Sequence, residues 1–306
     1  MKVLVATQKP FAAVAVEGIK KILEEAGHQV VLLEKYAAQE DLISAAGDAE
    51  AMIIRSDKVD AGVLAAATNL KIVVRAGAGV DNVDLAAASE RKVVVMNTPG
   101  QNSNAVAELA IAMMIYMSRG QFTPATGSEI MGKRLGIQAF GNVGRLVGKK
   151  AGALGMKVSA IDPFLSPEQI AAGGATPLSS VEELYSSSDF VSIHIPATPQ
   201  TIRSIGHDLI GKMPKGAVLV NTARKEVIDE EGLMTILEER PDLKYVTDVA
   251  PDNYAALKEK FGLRVFATPK KMGAQTAEAN INAGLAAARQ IVDFFATGNT
   301  RFQVNK

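Results

Sequence analysis

Three apolar runs in the C-terminal half of the chain each lead to a residue able to do chemistry. "AVLVNTA" (217–223) is followed by Arg224, "YVTDVA" (245–250) contains Asp248, and "RVFATP" (264–269) runs straight into Lys270 and Lys271. An arginine can fork onto a carboxylate and polarise a neighbouring carbonyl. An aspartate can accept from an amide, and a lysine can take or give a proton. Parallel-sheet proteins keep their ligands at the carboxyl ends of strands, which is where these side chains fall. The histidines compete poorly. His28 starts a strand at the surface, His194 inside "VSIHIP" is a buried core residue or a cofactor neighbour, and His207 opens a helix as a cap or an exposed group. Without a well-placed histidine, lysine is the best candidate for proton transfer.

A second constellation lies upstream. "QAFGNVGRLVGKKAGALG" follows the strand 135–140 and opens a helical pattern. It matches the dinucleotide fingerprint G-x-G-x-x-G with one departure. Ala139 holds the first glycine place, and Gly141 and Gly144 hold the second and third. Gly141 lets backbone approach a pyrophosphate, while Gly144 lets the helix pack close to the sheet. Ala139 is tolerable if its φ is negative. The next strand, "KVSAID" (157–162), ends in Asp162, placed to receive ribose hydroxyls. No Arg or Lys follows in "DPFLSPEQ" to hold a 2′-phosphate, which favours NAD over NADP.

Elements able to position these residues alternate along the whole chain. Strands are expected at 2–6, 29–34, 51–56, 71–77 and 92–97, and again at 135–140, 157–162, 190–195, 217–223, 245–250 and 264–269. Amphipathic helical stretches lie between them, the first stopped by Gly27. Continuous apolar strands joined by helices imply parallel sheets covered on both faces. Eleven strands are many for one sheet, so two α/β domains are expected, the second series of strands beginning after the bridge "RGQFTPATGSEIMGKR" (119–134). Two long apolar helices, 103–119 and 276–298, do not fit simple crossovers. If the second returns to the first domain, that domain is discontinuous: 1–97 with 277–306, around 98–276.

Composition narrows the class further. The 306 residues are 48% hydrophobic and 22% charged, with 33 basic and 33 acidic side chains. Such a balance offers no field for nucleic acid or an anionic membrane. Cysteine is absent, which rules out a disulfide framework or a thiolate metal site; no metal is expected. The N-terminal "MKVLVATQKP" is a strand pattern rather than a signal peptide, and no apolar run approaches a membrane span. A soluble cytoplasmic protein is expected.

"FGNVGR", "AIDPF", "NTARKEVIDEEGL", "VTDVA" and "TPKKMGAQTAEAN" occur in the order and spacing of the D-isomer-specific 2-hydroxyacid dehydrogenases, which the chain resembles over nearly its whole length. "VVRAGAGVDNVD" and "MNTPGQNSNAVAEL" resemble that family's substrate-domain loop and interdomain helix, and "IIRSDKVD" (53–60) its phosphate-contacting segment in the phosphoglycerate-oxidising branch. The short form without the serine-sensing C-terminal domain is the nearest match. The resemblance implies a Rossmann nucleotide-binding domain plus a flavodoxin-like substrate domain, both doubly wound parallel sheets, and a homodimer. It implies NAD as cofactor and a phosphorylated 2-hydroxy acid as substrate.

Site residues follow position by position. Gly141, Asn142, Val143, Gly144, Asp162, Ile195, Thr222, Ala223, Asp248 and Gly273 would bind the cofactor. Arg55, Ser56, Ala76, Gly77, Ala78, Gly79 and Asn102 would bind the substrate. Arg55 and Ser56, with Lys58 nearby, would take its phosphate, and the amides of 76–79 its carboxylate; the bland alternative for Arg55 is an ion pair with Asp57 or Asp60. Arg224 matches the family's catalytic arginine. The family's glutamate position holds Asn253, and its histidine position holds a lysine. Aligning "MGAQT" assigns Lys271, whereas aligning from "TP" assigns Lys270; Lys271 is preferred. A neighbouring glutamate would hold a lysine protonated, and asparagine would not. The second lysine, Arg224 and desolvation would each favour the neutral base. A glyoxylate or hydroxypyruvate reductase and a cofactor-sensing binding protein are the alternatives.

Overall fold

A computed structural model describes residues 1–305. Two compact units result: Met1–Asn102 together with the chain from Gln275 onward, and Ser103–Ala274. The breaks therefore fall at 102/103 and 274/275 rather than 97/98 and 276/277. Thr98 explains the first shift, because it is buried and its N–H donates to the Gly77 carbonyl at 2.9 Å. Thr276 explains the second: its Oγ1 accepts from Ala279 N at 3.1 Å and caps the last helix.

The first unit runs β1 (Lys2–Thr7), α1 (Ala13–Glu25), β2 (Gln29–Glu34), α2 (Gln39–Ala46), β3 (Ala51–Ile54), α3 (Ala61–Ala66), β4 (Ile72–Arg75), α4 (Leu85–Glu90) and β5 (Val94–Asn97). All pairs are parallel, in the order β2-β1-β3-β4-β5, the flavodoxin-like winding. Alternation sorts the side chains. Val3, Val5 and Ile53 face one core with α1, while Leu4, Ala6, Met52 and Ile54 face the other with α2 and α3. Gly27 at φ +76° ends α1 as expected.

The second unit runs α5 (Ser103–Ser118), β6 (Arg134–Gln138), α6 (Asn142–Ala153), β7 (Lys157–Ile161), α7 (Pro167–Ala172), β8 (Thr176–Pro177), α8 (Val181–Ser187), β9 (Phe190–Ile193), α9 (His207–Gly211), β10 (Val218–Asn221), α10 (Glu230–Glu239), β11 (Lys244–Thr247), α11 (Tyr254–Phe261) and β12 (Val265–Ala267). Its sheet is parallel in the order β12-β11-β10-β9-β6-β7-β8, a Rossmann winding extended by one strand. The order reverses between β6 and β9, so the switch point lies where the glycine turn leaves β6. Of the described strands, β8 alone was not expected. Two residues give no periodicity, and its place beside β7 is set by pairing.

The chain then returns as α12 (Ala277–Thr297) to the first unit. Its Ala283, Ala287, Ala288 and Ile291 complete the core over Val3, Val5 and Ile19. Small residues permit the approach: a Cβ on Gly284 would lie 2.9 Å from Ile19 Cδ1. Among the described residues no helix is long and apolar enough to cross a membrane.

Candidate active site

The glycine turn departs from expectation at its first residue. Ala139 has φ +74°, in the left-handed region, so the condition for tolerating alanine there is not met and the turn carries backbone strain. Its N–H is held by the Ile161 carbonyl at 2.9 Å and Phe140 N by Asp162 Oδ2 at 2.8 Å, contacts that hold the loop. The two glycines divide the work. A Cβ on Gly144 would meet the Ala139 carbonyl oxygen at 2.3 Å, so only glycine lets α6 start this close to β6. A Cβ on Gly141 would meet nothing within 4 Å. Gly141 is the N-cap of α6 and supplies no side-chain cap, so the first-turn amides, including those of Asn142 and Val143, face an open approach suited to an anion.

Asp162 sits just past β7, half-buried. Its second oxygen accepts from Phe164 N at 2.9 Å. The carboxylate thus shapes the turn as well as offering remaining lone pairs to hydroxyls. Ile195, Thr222 and Ala223 are buried past the ends of β9 and β10, and Ala223 N donates to Asn221 Oδ1 at 2.9 Å.

Asp248, at the end of β11, is fully buried. Its Oδ2 accepts from Met272 N at 3.1 Å and Gly273 N at 2.6 Å. Its Oδ1 has no partner among the described residues, nor has the buried Oγ1 of Thr222. Orphaned buried acceptors are costly and uncommon. Those two acceptors and the open face of Gly141 fit a dinucleotide that brings a pyrophosphate and an amide donor.

Arg224 is half-buried where β10 ends, and one guanidinium N–H donates to the Ala223 carbonyl at 3.0 Å. Lys270 and Lys271 are both exposed, so the expected desolvation of the base is not a property of this structure. Their loop is nonetheless anchored: Thr268 Oγ1 donates to the Lys270 carbonyl at 2.7 Å, and Asp248 holds the next two amides. Asn253 precedes α11. Its N–H donates to Glu230 Oε2 at 3.2 Å, and its side-chain oxygen is buried without a partner among the described residues. Glu230 also takes Asp252 N at 2.9 Å, so it is α10 that holds this strand-end loop.

The three histidines differ in environment. Burial pushes His194 down to about 4, leaving it neutral beside Ser192 Oγ at 2.9 Å. Bonds to Asp208 and then Glu239 push the half-exposed His207 up. His28 is half-buried, its ring 5.5 Å from that of Phe295, rather than at the surface.

In the first unit, Arg55 makes no ion pair with Asp57 or Asp60. One guanidinium nitrogen donates to the carbonyls of Lys9 at 2.7 Å and Pro10 at 2.9 Å, and the other to Asn280 Oδ1, with the ring of Phe11 at 5.1 Å. Nε and one further N–H remain for a ligand among the described residues. Asp57 is buried and takes Gln8 N, Tyr36 Oη and Arg55 N, tying together three strand ends. Asp60 instead caps α3 and lies 3.8 Å from Lys58 Nζ. Ser56 is exposed and Asn102 half-exposed. Of the amides at 76–79, those of Ala76 and Gly77 are already spent on the carbonyls of Ile54 and Arg75. The amides of Ala78 and Gly79 have no such partner among the described residues. Arg75 was not among the expected site residues. It ends β4 opposite Ile54, donates to the Arg55 carbonyl at 3.0 Å, and lies over Gly77, whose φ is +151°. The signal was an arginine directly before the glycine-rich loop.

The fold and the glycine turn define an α/β dinucleotide-binding protein. Residues 103–269 match the family model described as "D-isomer specific 2-hydroxyacid dehydrogenase, NAD binding domain". The chain belongs to the D-isomer-specific 2-hydroxyacid dehydrogenase family. It is 37% identical over 293 residues to D-3-phosphoglycerate dehydrogenase of Rattus norvegicus, covering 90% of this chain and 54% of that protein. Against the Mycobacterium tuberculosis protein of the same name the figures are 36%, 83% and 50%. The chain thus spans about half the length of these curated relatives. It also superimposes on the NAD+-bound 3-phosphoglycerate dehydrogenase of Entamoeba histolytica with a TM-score of 0.91 and 50% identity, over 100% of this chain and 99% of that one. D-2-hydroxyisocaproate dehydrogenase, at 21% identity and a TM-score of 0.84, shares the fold.

Proposed function

We propose that the protein is an NAD-dependent dehydrogenase that oxidises 3-phospho-D-glycerate to 3-phosphohydroxypyruvate, the entry step of serine biosynthesis, with a lysine in place of the family histidine. The bare, buried Oδ1 of Asp248, next to the loop that carries the lysines, is the observation that carries the reading. The 50% identity to an NAD+-bound 3-phosphoglycerate dehydrogenase supports the substrate. Gly141 and the first turn of α6 would receive the pyrophosphate, Asp162 the ribose, and Thr222 and Asp248 the carboxamide end.

When bound, NAD supplies the acceptor for the hydride leaving C2. The chain supplies the rest. Lys271 Nζ takes the proton of the C2 hydroxyl, with Lys270 beside it. Arg224 forks onto the C1 carboxylate and polarises the developing carbonyl. The amides of Ala78 and Gly79 add donors for that carboxylate, and Arg55 with Ser56 recognises the phosphate. In the reducing direction the same Nζ would return the proton to the carbonyl oxygen.

NADH oxidation with 3-phosphohydroxypyruvate, hydroxypyruvate and glyoxylate tests the reading. A strong preference for the phosphorylated substrate is expected. Preference for either unphosphorylated acid would replace it with a simpler 2-oxo acid reductase, and NADH binding without turnover with a cofactor sensor. We also propose a homodimer in the cytoplasm, as the resemblance implies; a monomer in sedimentation equilibrium would refute the dimer.

A further inference from the structure

We propose that Asp248 is a positioning residue that couples cofactor binding to the order of the lysine-bearing loop. The inference rests on the NAD reading above. One carboxylate serves two faces. Oδ2 takes the amides of Met272 and Gly273, and Oδ1, buried and unpartnered, awaits a donor. Gly273 is built for this clamp, since a Cβ there would stand 3.0 Å from Asp248 Oδ2 and 3.2 Å from Val106 Cγ2. Thr268 Oγ1 holds the Lys270 carbonyl on the other side, so Lys271 lies between two fixed peptides while its side chain stays exposed.

Without a donor at Oδ1, the buried side chain gains by turning toward other donors or water, and that motion releases the loop amides. A donor at Oδ1 removes the gain and fixes the rotamer. Cofactor and loop therefore favour the same Asp248 orientation, and each strengthens the other. The lysines are then best placed when the hydride acceptor is present.

Amide hydrogen exchange of Met272 and Gly273, with and without saturating NADH, tests this, with NADH binding followed separately by fluorescence. Protection in the wild type should rise about 10- to 100-fold, the factor that one buried hydrogen bond is worth. Asp248→Asn has a single carbonyl oxygen and can serve only one face. It should bind NADH more weakly, and at saturation the protection gain should be largely lost. Thr268→Val should speed exchange of Lys271 in both states while leaving the NADH-dependent gain at Met272 and Gly273. Unchanged wild-type exchange despite bound NADH, or the full gain in Asp248→Asn, would overturn the coupling. If Asp248→Asn does not fold, the wild-type comparison decides alone. Failure of the wild type to bind NADH at all would instead remove the NAD reading, and this inference with it.

Discussion

Gly141 and Gly144 belong to one fingerprint, yet alanine at each should act in opposite directions. At Gly141 the backbone has φ −78°, ordinary for any residue, and a new methyl meets nothing within 4 Å. Losing glycine's freedom in the unfolded chain should stabilise the apoprotein by about 0.4–1 kcal/mol. The same methyl would stand where a pyrophosphate must approach. Charge-assisted hydrogen bonds are worth about 1.5–3 kcal/mol, so NADH affinity should fall roughly 10- to 100-fold. At Gly144 the methyl would lie 2.3 Å from a carbonyl oxygen, a contact no side-chain rotation relieves. Either α6 lifts from β6 or the turn deforms, costing about 1–3 kcal/mol. In calorimetry of the apoprotein, Gly141→Ala should melt roughly 1–4 °C higher and Gly144→Ala roughly 2–12 °C lower. Fluorescence titration then separates folding from binding. Gly141→Ala binding NADH like the wild type would take Gly141 out of the cofactor site. Gly144→Ala melting like the wild type would refute the packing argument.

Lys271→Ala should lower kcat for oxidation by about 10²–10⁴-fold with NADH binding intact, and Lys270→Ala should do less; the reverse order in steady-state kinetics would make Lys270 the base. Arg55→Ala should lose phosphorylated substrate selectively, by roughly 10- to 100-fold in kcat/KM, and should also destabilise the protein, because the carbonyls of Lys9 and Pro10 lose their donor. Unchanged kinetics with a lowered Tm would leave Arg55 a purely structural latch. Asp162→Ala should weaken NAD binding and narrow the preference over NADP, and comparable efficiency of the wild type with both cofactors would contradict the assignment. Arg134 holds the Asp189 carboxyl below its usual range, so the pair's contribution is present above about pH 3.9 and fades as pH falls through the depressed value. Asp189→Asn should therefore lower Tm at pH 7 by the equivalent of at most about 1 kcal/mol, given the half-exposed arginine, and converge with the wild type at low pH. A Tm difference independent of pH would refute the linkage.

The strand-end residues were legible because β-branched runs mark parallel strands, and their carboxyl ends are where ligands bind. Arg224, Asp248 and the lysines could be placed at strand ends on that ground alone. The sign of φ at Ala139 could not, because alanine is compatible with either side until the turn is built. Arg55 shows another limit. Its partners are carbonyls at Lys9 and Pro10 and a side chain at Asn280, and backbone acceptors leave no trace in residue type. Charge pairing pointed to Asp57 and Asp60 instead, which bond to amides. The hold of Glu230 on the loop before α11 was hidden for the same reason.

The return of α12 has a consequence for synthesis on the ribosome. Part of one core of the first unit waits for Ala283, Ala287, Ala288 and Ile291, which are translated after the whole of Ser103–Ala274. The inserted unit is contiguous and can close its sheet as it emerges. The amino-terminal strands and α1 come out first yet must leave the face that receives these side chains exposed until the last helix arrives. Vectorial folding is therefore inverted in this chain: the nucleotide-binding unit matures before the unit that precedes it, and the nascent amino-terminal sheet is the stretch most in need of a chaperone.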